Sequence, residues 1–501
     1  MLKCSQSHHG SGCARQAPLR DTLTKLTFCA FAALALPAFS AITPTYNKDI
    51  APILNSQCAE CHRPGEVAPF SLLTYSDAAK RASLIAAVTA KRFMPPWKPE
   101  PGYGSFQHER RLTDDQLALI AAWAKAGAPE GTAKDKPPAP KFSENWQAGE
   151  PNLVLKAGHG FDVAADGPDK FQCFVLPLNL EQDSYIQTAE FRPGNRRVVH
   201  HGVIYVDENG AAGRLAANSP DGSYPCFGGP GFQTTGILDG WAPGTIIPTG
   251  DPHLSVPVKK GANLVVQIHY HPSGKPETDT SMVGVTFSGP PTRGRTSLLM
   301  VNANIDIAPG DANYLVKSSM TLPRDVELTG IFPHAHWLCK DMKVDARLPD
   351  GQVQHLIWIN DWDFNWQGGY RYTTPISLPK GTHIDMAYTF DNSSANVRNP
   401  ANPPQRVRFG EQTQDEMAVA FLSVTLPSPA DVVPFRRDVR LQSIEDALAS
   451  VTEYKDLRGR IPGFNAQNMQ MMTQRFDKNG DGKLDDDERA AIMGFLRLQI
   501  R

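Results

Sequence analysis

The stretch FPHAHWLCKDMKVDARLPDG (332–351) sets the fold class of most of this 501-residue chain. Residues 344–348 alternate apolar and polar side chains, the period of a half-buried strand, and Asp350-Gly351 supplies a tight hairpin turn. Working outward, 203–206 run into Asn209-Gly210 in the same way, 264–268 form an apolar run, and 419–422 form another. No long helical pattern interrupts the region from about 150 to 430, so these runs predict an all-β region. Within it there is an internal echo. A His pair, a strand and an Asx-Gly turn follow one another at 200–210 and again at 334–351, and Lys260-Gly261 before a strand recurs as Lys380-Gly381. Two similar antiparallel β-sandwich domains, 150–290 and 291–430, would explain the echo, set against the fact that Asx-Gly turns recur in any β protein.

With 41% apolar residues, the chain can supply three or four domains with cores of their own. Residues 1–40 carry four basic side chains and then the apolar run 26–39, with small residues before Ala41, and read as an export signal. No later segment reaches the roughly 20 apolar residues of a membrane span. The expectation is a periplasmic or secreted protein that does not span a membrane. Losing the signal removes those four basic residues and Asp21, taking the formal charge from −2 to −5. Such a mildly acidic protein has no general electrostatic affinity for nucleic acid.

Ahead of the β region, 41–133 read as a small α-helical cytochrome c domain. Its core motif is Cys58-Ala-Glu-Cys61-His62. Two thiols at this spacing add to the haem vinyl groups while the adjacent imidazole reaches the iron, giving a covalent haem c. Met94, the only methionine of this domain, is the favoured sixth ligand, with His108 as runner-up. A helix is predicted from Thr113, capped by Gln116, to Gly127. Residues 134–149 then form a Pro-rich linker. At the other end, 431–501 return to helical character around Asp477-Lys-Asn479-Gly-Asp481-Gly-Lys483-Leu-Asp485-Asp-Asp-Glu488, which fits an EF-hand loop (477–488) at every coordinating position, Lys483 through its carbonyl. It predicts calcium binding, with no second loop visible in the sequence.

The β region carries three histidine pairs and a methionine. His334-x-His336 has period two, so both rings face one side of a strand and can share a metal. His200-His201 can do so only if the strand ends or bulges there. His269 and His271 could pair like 334 and 336. A hydrogen-bonded structural role competes for any one pair, but three pairs in one region favour metal binding. Imidazoles suit several metals, whereas an added thioether such as Met417 favours copper. Of the remaining cysteines, Cys173 and Cys226 could close a disulfide, leaving Cys339 unpaired, with other pairings open.

In their order, Val-His200-His201, Gln-Ile-His269-Tyr, His334-x-His336 and Asp415-Glu416-Met417 resemble the copper type II, ascorbate-dependent monooxygenases, the peptidylglycine α-hydroxylating and dopamine β-monooxygenase family, over about 150–430. The resemblance implies two jelly-roll-like β-sandwiches with two copper ions. His200, His201 and His269 would hold an electron-transfer copper, and His334, His336 and Met417 the copper that activates O2, with His271 reduced to a neighbour. It also makes Cys173 and Cys226 a disulfide by position. Peptide-hydroxylating members clamp a substrate carboxylate where this chain has Phe332, Val419 and Phe421. An apolar pocket argues against a carboxylate there, and toward a small apolar or aromatic substrate. The expected function is therefore an exported monooxygenase that hydroxylates a C–H bond of a small organic substrate. Electrons would come from a periplasmic donor, an ascorbate-like reductant or a redox protein, by way of the haem domain. The alternatives are a non-oxygenating copper and haem electron-transfer protein and a calcium-stabilised binding scaffold.

Overall fold

The structure is a computed structural model that describes residues 43–501, apart from 67, 143–145, 159, 220, 233, 235–236, 244, 246, 248, 458–465 and 500–501. The expected export signal, 1–40, lies outside the described residues. Most of the chain is β-structure in small antiparallel sheets, with helices at both ends.

The N-terminal helices are Ala51–Gln57, Tyr75–Ala79, Ala82–Ala90 and Asp114–Lys125. They close over Ile50, Leu54, Leu72, Ile85, Ile120 and Trp123. The last helix starts as its sequence predicts: Thr113 Oγ1 accepts from Gln116 N at 3.2 Å, and Gln116 Oε1 accepts from Thr113 N at 3.0 Å. Gly127, at φ 83°, ends it.

Two sheets enclose the first β core. One runs in the order Leu153–Lys156, Met282–Phe287, Ser184–Arg192, Val256–Val258; the other runs Ser223–Pro225, Lys170–Pro177, Asn263–Tyr270, Val199–Asp207, Ile237–Trp241. Phe174, Phe191, Ile204, Val266, Ile268 and Val283 fill the space between them. The second core, which includes Leu328, Ile331, Val344, Met386, Tyr388 and Leu422, lies between two further sheets. Their orders are Gly294–Val301, Val419–Leu426, Val326–His334, Tyr370–Leu378 and Tyr314–Thr321, His383–Phe390, Cys339–Arg347, Val353–Ile359. Taken in chain order, the strands follow one pattern in both units, apart from an added edge strand, Ser223–Pro225, in the first. The strand-and-turn and Lys-Gly parts of the echo fall on matching strands, Val199–Asp207 corresponding to Cys339–Arg347 and Asn263–Tyr270 to His383–Phe390, but the His pairs do not: His200 and His201 lie on Val199–Asp207, whereas His334 ends Val326–His334, the counterpart of Ser184–Arg192.

Two connections were not legible in the sequence. The segment 97–111, within the helical stretch, crosses to the second β unit. Gln107 N donates to Arg371 O (2.8 Å), Thr373 N to Ser105 O (2.9 Å), and Glu100 N to Trp358 O (2.7 Å), so 105–107 extend the sheet beyond Tyr370–Leu378. Phe106, 4% exposed, enters the second core. The helical unit is therefore held in place by more than the Pro-rich linker. At the other end, the helix Val432–Ala449 packs Phe435 into the same core. The segment 452–454 that follows it pairs with the acidic loop, Leu484 N donating to Thr452 O (2.8 Å) and Tyr454 N to Gly482 O (3.1 Å). The loop expected to stand alone thus has a backbone partner without acidic spacing of its own.

Candidate metal centres

His200 and His201 are adjacent on a strand, and a regular strand would point them apart. The register shifts between Val199 and His201, where Val199 pairs with Tyr270 and His201 with His269. This bulge brings both rings to one side, against His269 on the neighbouring strand. Nδ1 of His201 lies 3.3 Å from Nδ1 of His200 and 3.4 Å from Nδ1 of His269. One ligand atom from each of the three falls within 4.8 Å of the other two, the only such group of His, Cys, Asp or Glu among the described residues. His269 Nε2 donates to Asp169 Oδ2 at 2.9 Å, which places its proton there and leaves Nδ1 with a lone pair. His271 stands apart from the triad, with its Nδ1 2.7 Å from Asp169 Oδ1. Thr413 Oγ1, from the second β unit, donates to the same carboxylate. Burial first, then the neighbouring His269 ring, holds His200 down to about 3, and the same causes put His201 well below the usual imidazole range. Neutral rings are what a metal needs.

The second cluster presents the opposite ring nitrogen. His334 Nδ1 donates to Gln367 Oε1 (2.6 Å), and Gln367 is itself oriented by donating Nε2–H to Phe364 O (3.1 Å). His336 Nδ1 donates to Asp415 O at 3.0 Å. Both rings therefore keep Nε2 free as a ligand atom, with centroids 5.2 Å apart. Burial, opposed by the Gln367 bond, holds His334 down to about 4; burial and the His334 ring hold His336 down to about 3. Met417 joins them through register. His334 pairs with Val419, and continuing that pairing by two residues sets 336 opposite 417. Glu416 fixes this continuation: its Oε2 accepts from His336 N (2.9 Å) and Met417 N (3.1 Å), and its Oε1 from Leu338 N (2.6 Å). Its side chain is fully buried, and burial pushes the carboxyl up to about 8 despite those amides.

Between the clusters stands Phe364. Its ring stacks on His200 at 4.9 Å and lies edge-on to His336 at 5.4 Å. Beside His334 is an apolar shelf. Phe332 pairs with Phe421 across the strands, their rings 6.1 Å apart, and lies parallel to the His334 ring at 6.3 Å. Val419 is buried in the same sheet.

In the helical unit, His62 Nδ1 donates to Phe70 O at 3.0 Å, so Nε2 is the free nitrogen, as iron ligation requires. Cys58 and Cys61 are half-buried and unpaired. Met94 is half-buried, whereas His108 is exposed and left-handed at φ 56°. Next to the motif, Glu66 pairs with Arg196 at 3.1 Å, four residues before His200.

Cys173 and Cys226 form the disulfide, closing 53 residues of sequence separation, and Cys339 is buried and free. In the C-terminal loop, Asp477, Asn479, Asp481, Asp485 and Glu488 all accept from loop amides, among them Gly482 N to Asp477 Oδ2 (3.0 Å) and Lys478 N to Glu488 Oε1 (3.2 Å). The helices Ala466–Phe476 and Asp486–Gln499 flank it. Among the described residues no helix is long and apolar enough to cross a membrane.

The sequence named the ligand candidates but not what orients them. Glu416 was visible only as part of the Asp-Glu-Met motif, and Asp169, Phe364 and Gln367 carried no signal.

No family model matches the chain, and no curated protein sequence matches it. Solved structures similar to it include the infectious bursal disease virus VP2 subviral particle, at 8% identity and TM-score 0.18, with 58% of this chain and 76% of that one covered. PNGF-II in space group C2 follows, at 9% and 0.20, covering 56% and 62%. The major capsid protein P2 from Bacteriophage PM2 stands at 7% and 0.19, covering 49% and 99%. Likeness at these TM-scores carries no weight for fold or function.

Proposed function

We propose that this chain is an exported copper- and haem-dependent monooxygenase acting on a small apolar or aromatic substrate. In this reading the N-terminal helices are a cytochrome c domain, the two β units are jelly-roll-like sandwiches, and the C-terminal loop is a calcium-binding EF-hand. The observation that carries it is the division of five histidines into two differently wired groups: three imidazoles converging through Nδ1, and a separate pair offering Nε2 beside a methionine.

The donor sets fit copper, since three neutral imidazoles suit it and an added thioether favours it further. Copper at these residues would supply the chemistry that, with two electrons delivered through the haem domain and two protons, places one oxygen atom of O2 into a C–H bond and releases the other as water. The protein's part is positional. Asp169 holds a proton on His269 Nε2, and Gln367 and the Asp415 carbonyl hold protons on Nδ1 of His334 and His336, so each ring offers one defined lone pair. Glu416 ties the backbones of 336, 338 and 417 to one carboxylate. The Phe332 and Phe421 rings bind an apolar substrate beside His334 and exclude water there. A substrate carboxylate would find no cationic partner on this shelf.

The test is metal content on protein matured through an export pathway, followed by substrate-dependent oxygen uptake. About two coppers per haem iron are expected, falling to about one in Met417→Ile or His201→Ala, with turnover lost in both. Zinc in place of copper, or full turnover in Met417→Ile, would overturn the proposal. Two coppers without oxygen uptake on any apolar substrate would leave an electron-transfer protein.

A further inference from the structure

The carboxylate that orients His269 is shared between the two β units. The Asp169 side chain is 6% exposed; its Oδ2 accepts the His269 Nε2–H at 2.9 Å and also the Thr413 hydroxyl, while its Oδ1 lies 2.7 Å from His271 Nδ1. His269 and His271 belong to the first β unit. Thr413 comes from the second, 244 residues further along the chain. A single oxygen is therefore divided between a candidate metal ligand and a hydroxyl from the loop that serves the other cluster.

That loop leaves Thr413 little freedom. Asp415 N donates to Gln412 O (2.9 Å) and Gln412 N to Asp415 Oδ2 (3.2 Å), closing a turn with Thr413 inside it. Its base is closed by Gly410 N donating to Glu416 O (3.2 Å) and Glu416 N to Arg408 O (3.0 Å). A Cβ at Gly410 would overlap the Asp415 carboxylate, so the turn requires glycine there. A second contact seats it on the first β unit: the Gly228 amide, two residues after Cys226, donates to the Glu411 carboxylate. Two residues beyond Thr413, the Asp415 carbonyl holds His336.

A carboxylate that accepts the outer N–H of a ligating imidazole raises the donor strength of that ring. A second donor on the same oxygen draws charge away from that bond. We propose that Thr413 is a positioning residue that sets the reduction potential of a copper held by His200, His201 and His269: its hydroxyl weakens the pull of Asp169 on His269 Nε2–H, leaves His269 a weaker donor and so favours Cu(I). The assignment rests on the copper reading of the triad. It makes the first cluster accept an electron most readily when the loop of the second β unit is seated on it.

The experiment uses the full-length, metal-loaded protein in a His334→Ala background, so that the triad copper alone gives the Cu(II) EPR signal that is followed through a redox titration. Thr413→Val and Thr413→Ala lack the hydroxyl, Thr413→Ser keeps it, and Asp169→Ala removes the carboxylate. In Thr413→Val and Thr413→Ala the reduction equilibrium falls about threefold, a fraction of the 10- to 100-fold that an outer partner is worth and about 28 mV for one electron. Thr413→Ser restores the wild-type potential, and Asp169→Ala shifts it the opposite way. A residue that only tied the two β units together would lower the Tm without separating the variants by sign. Copper bound with its potential unchanged in Thr413→Val and Thr413→Ala overturns the assignment and leaves the copper reading intact. A shift that Thr413→Ser shares overturns it as well, because the hydroxyl would not be its cause. A wild-type triad that takes up zinc or no metal removes the copper reading and this assignment together.

Discussion

Replacing Glu416 by Gln tests whether one buried carboxylate holds together the second histidine cluster, the proposed site of the second copper. The carboxylate accepts three backbone N–H groups, two on Oε2 and one on Oε1, from residues 336, 417 and 338. An amide has one acceptor atom. In its better orientation it keeps the two Oε2 bonds and sets its NH2 against Leu338 N–H, leaving that buried donor unpaired at about 1–3 kcal/mol. The two retained bonds also lose their charge assistance, about 1 kcal/mol each. Against this, the variant no longer buries a charge; because desolvation pushes the carboxyl up to about 8, the comparison is made at pH 9, where Glu416 is ionised. The net expectation is a loss of about 2–3 kcal/mol, which for a domain-sized unit lowers its Tm by about 5–10 °C. The loss is local, because the amides involved belong to the residues on either side of the His336 and Met417 ligand positions. Copper affinity at that cluster should therefore fall at least tenfold, while the His200, His201 and His269 triad keeps its own. Calorimetry on the metal-free protein and competitive copper titration measure the two effects separately. An unchanged Tm together with equal affinities at the two clusters would show that Glu416 is not what joins 336 to 417.

Three further outcomes follow from the structure. Asp169→Ala removes the acceptor of His269 Nε2–H and should weaken the triad's copper affinity about 10- to 100-fold, measurable by titration, with the second cluster unaffected. The Arg324–Asp438 pair (2.7 Å) holds the helix Val432–Ala449 to the second β unit, and although burial opposes it, the Arg324 and Arg437 guanidinium groups lower the Asp438 pKa. A depressed carboxylate contributes stability above its unfolded pKa, about 3.9, and loses it as pH falls through the folded value. Because the pair is partly exposed, that contribution is at most about 1 kcal/mol, so Asp438→Asn should lower stability by up to that amount at pH 7, leave it unchanged below the folded pKa, and thereby flatten the acid limb of the stability curve. Finally, calcium at about 100 times its Kd should stabilise the C-terminal helices by about 2.7 kcal/mol in a calorimetric scan, and Glu488→Gln should abolish most of that shift.

The sequence was most informative where chemistry is written in short spacings. The Cys-x-x-Cys-His motif, the acidic loop 477–488 and the His-x-His strand are each contained in a dozen residues or fewer, and the condition set on His200-His201, a bulge, is what the strand shows. Asx-Gly turns marked strand ends well, because few residues tolerate positive φ. What could not be read were contacts that depend on register between distant segments. Asp169 meets His269 across 100 residues, and Gln367 meets His334 across 33, with no local pattern to announce either. The segment 97–111 was hidden for another reason: it lies between helices, and a strand supplied to another unit's sheet carries no amphipathic period to distinguish it from a loop. The partner of the acidic loop 477–488, residues 452–454, was equally silent, because backbone pairing requires no particular side chain.

Phe106 has a consequence for how the chain comes to be assembled. The second β core is incomplete without it, yet Gln107 and Tyr372, which bond beside it, lie 265 residues apart in sequence. During synthesis from the N-terminus, the helical unit emerges long before the strand it must augment, and the whole first β unit is made in between. Contacts of such separation form late and slowly. Until then an aromatic side chain and an unpaired strand edge stay open to solvent, an invitation to holdase chaperones and to the neighbouring chain alike. Deleting the helical unit would make that vacancy permanent, so the second β unit expressed alone should aggregate, and supplying residues 97–111 as a separate peptide should restore its solubility.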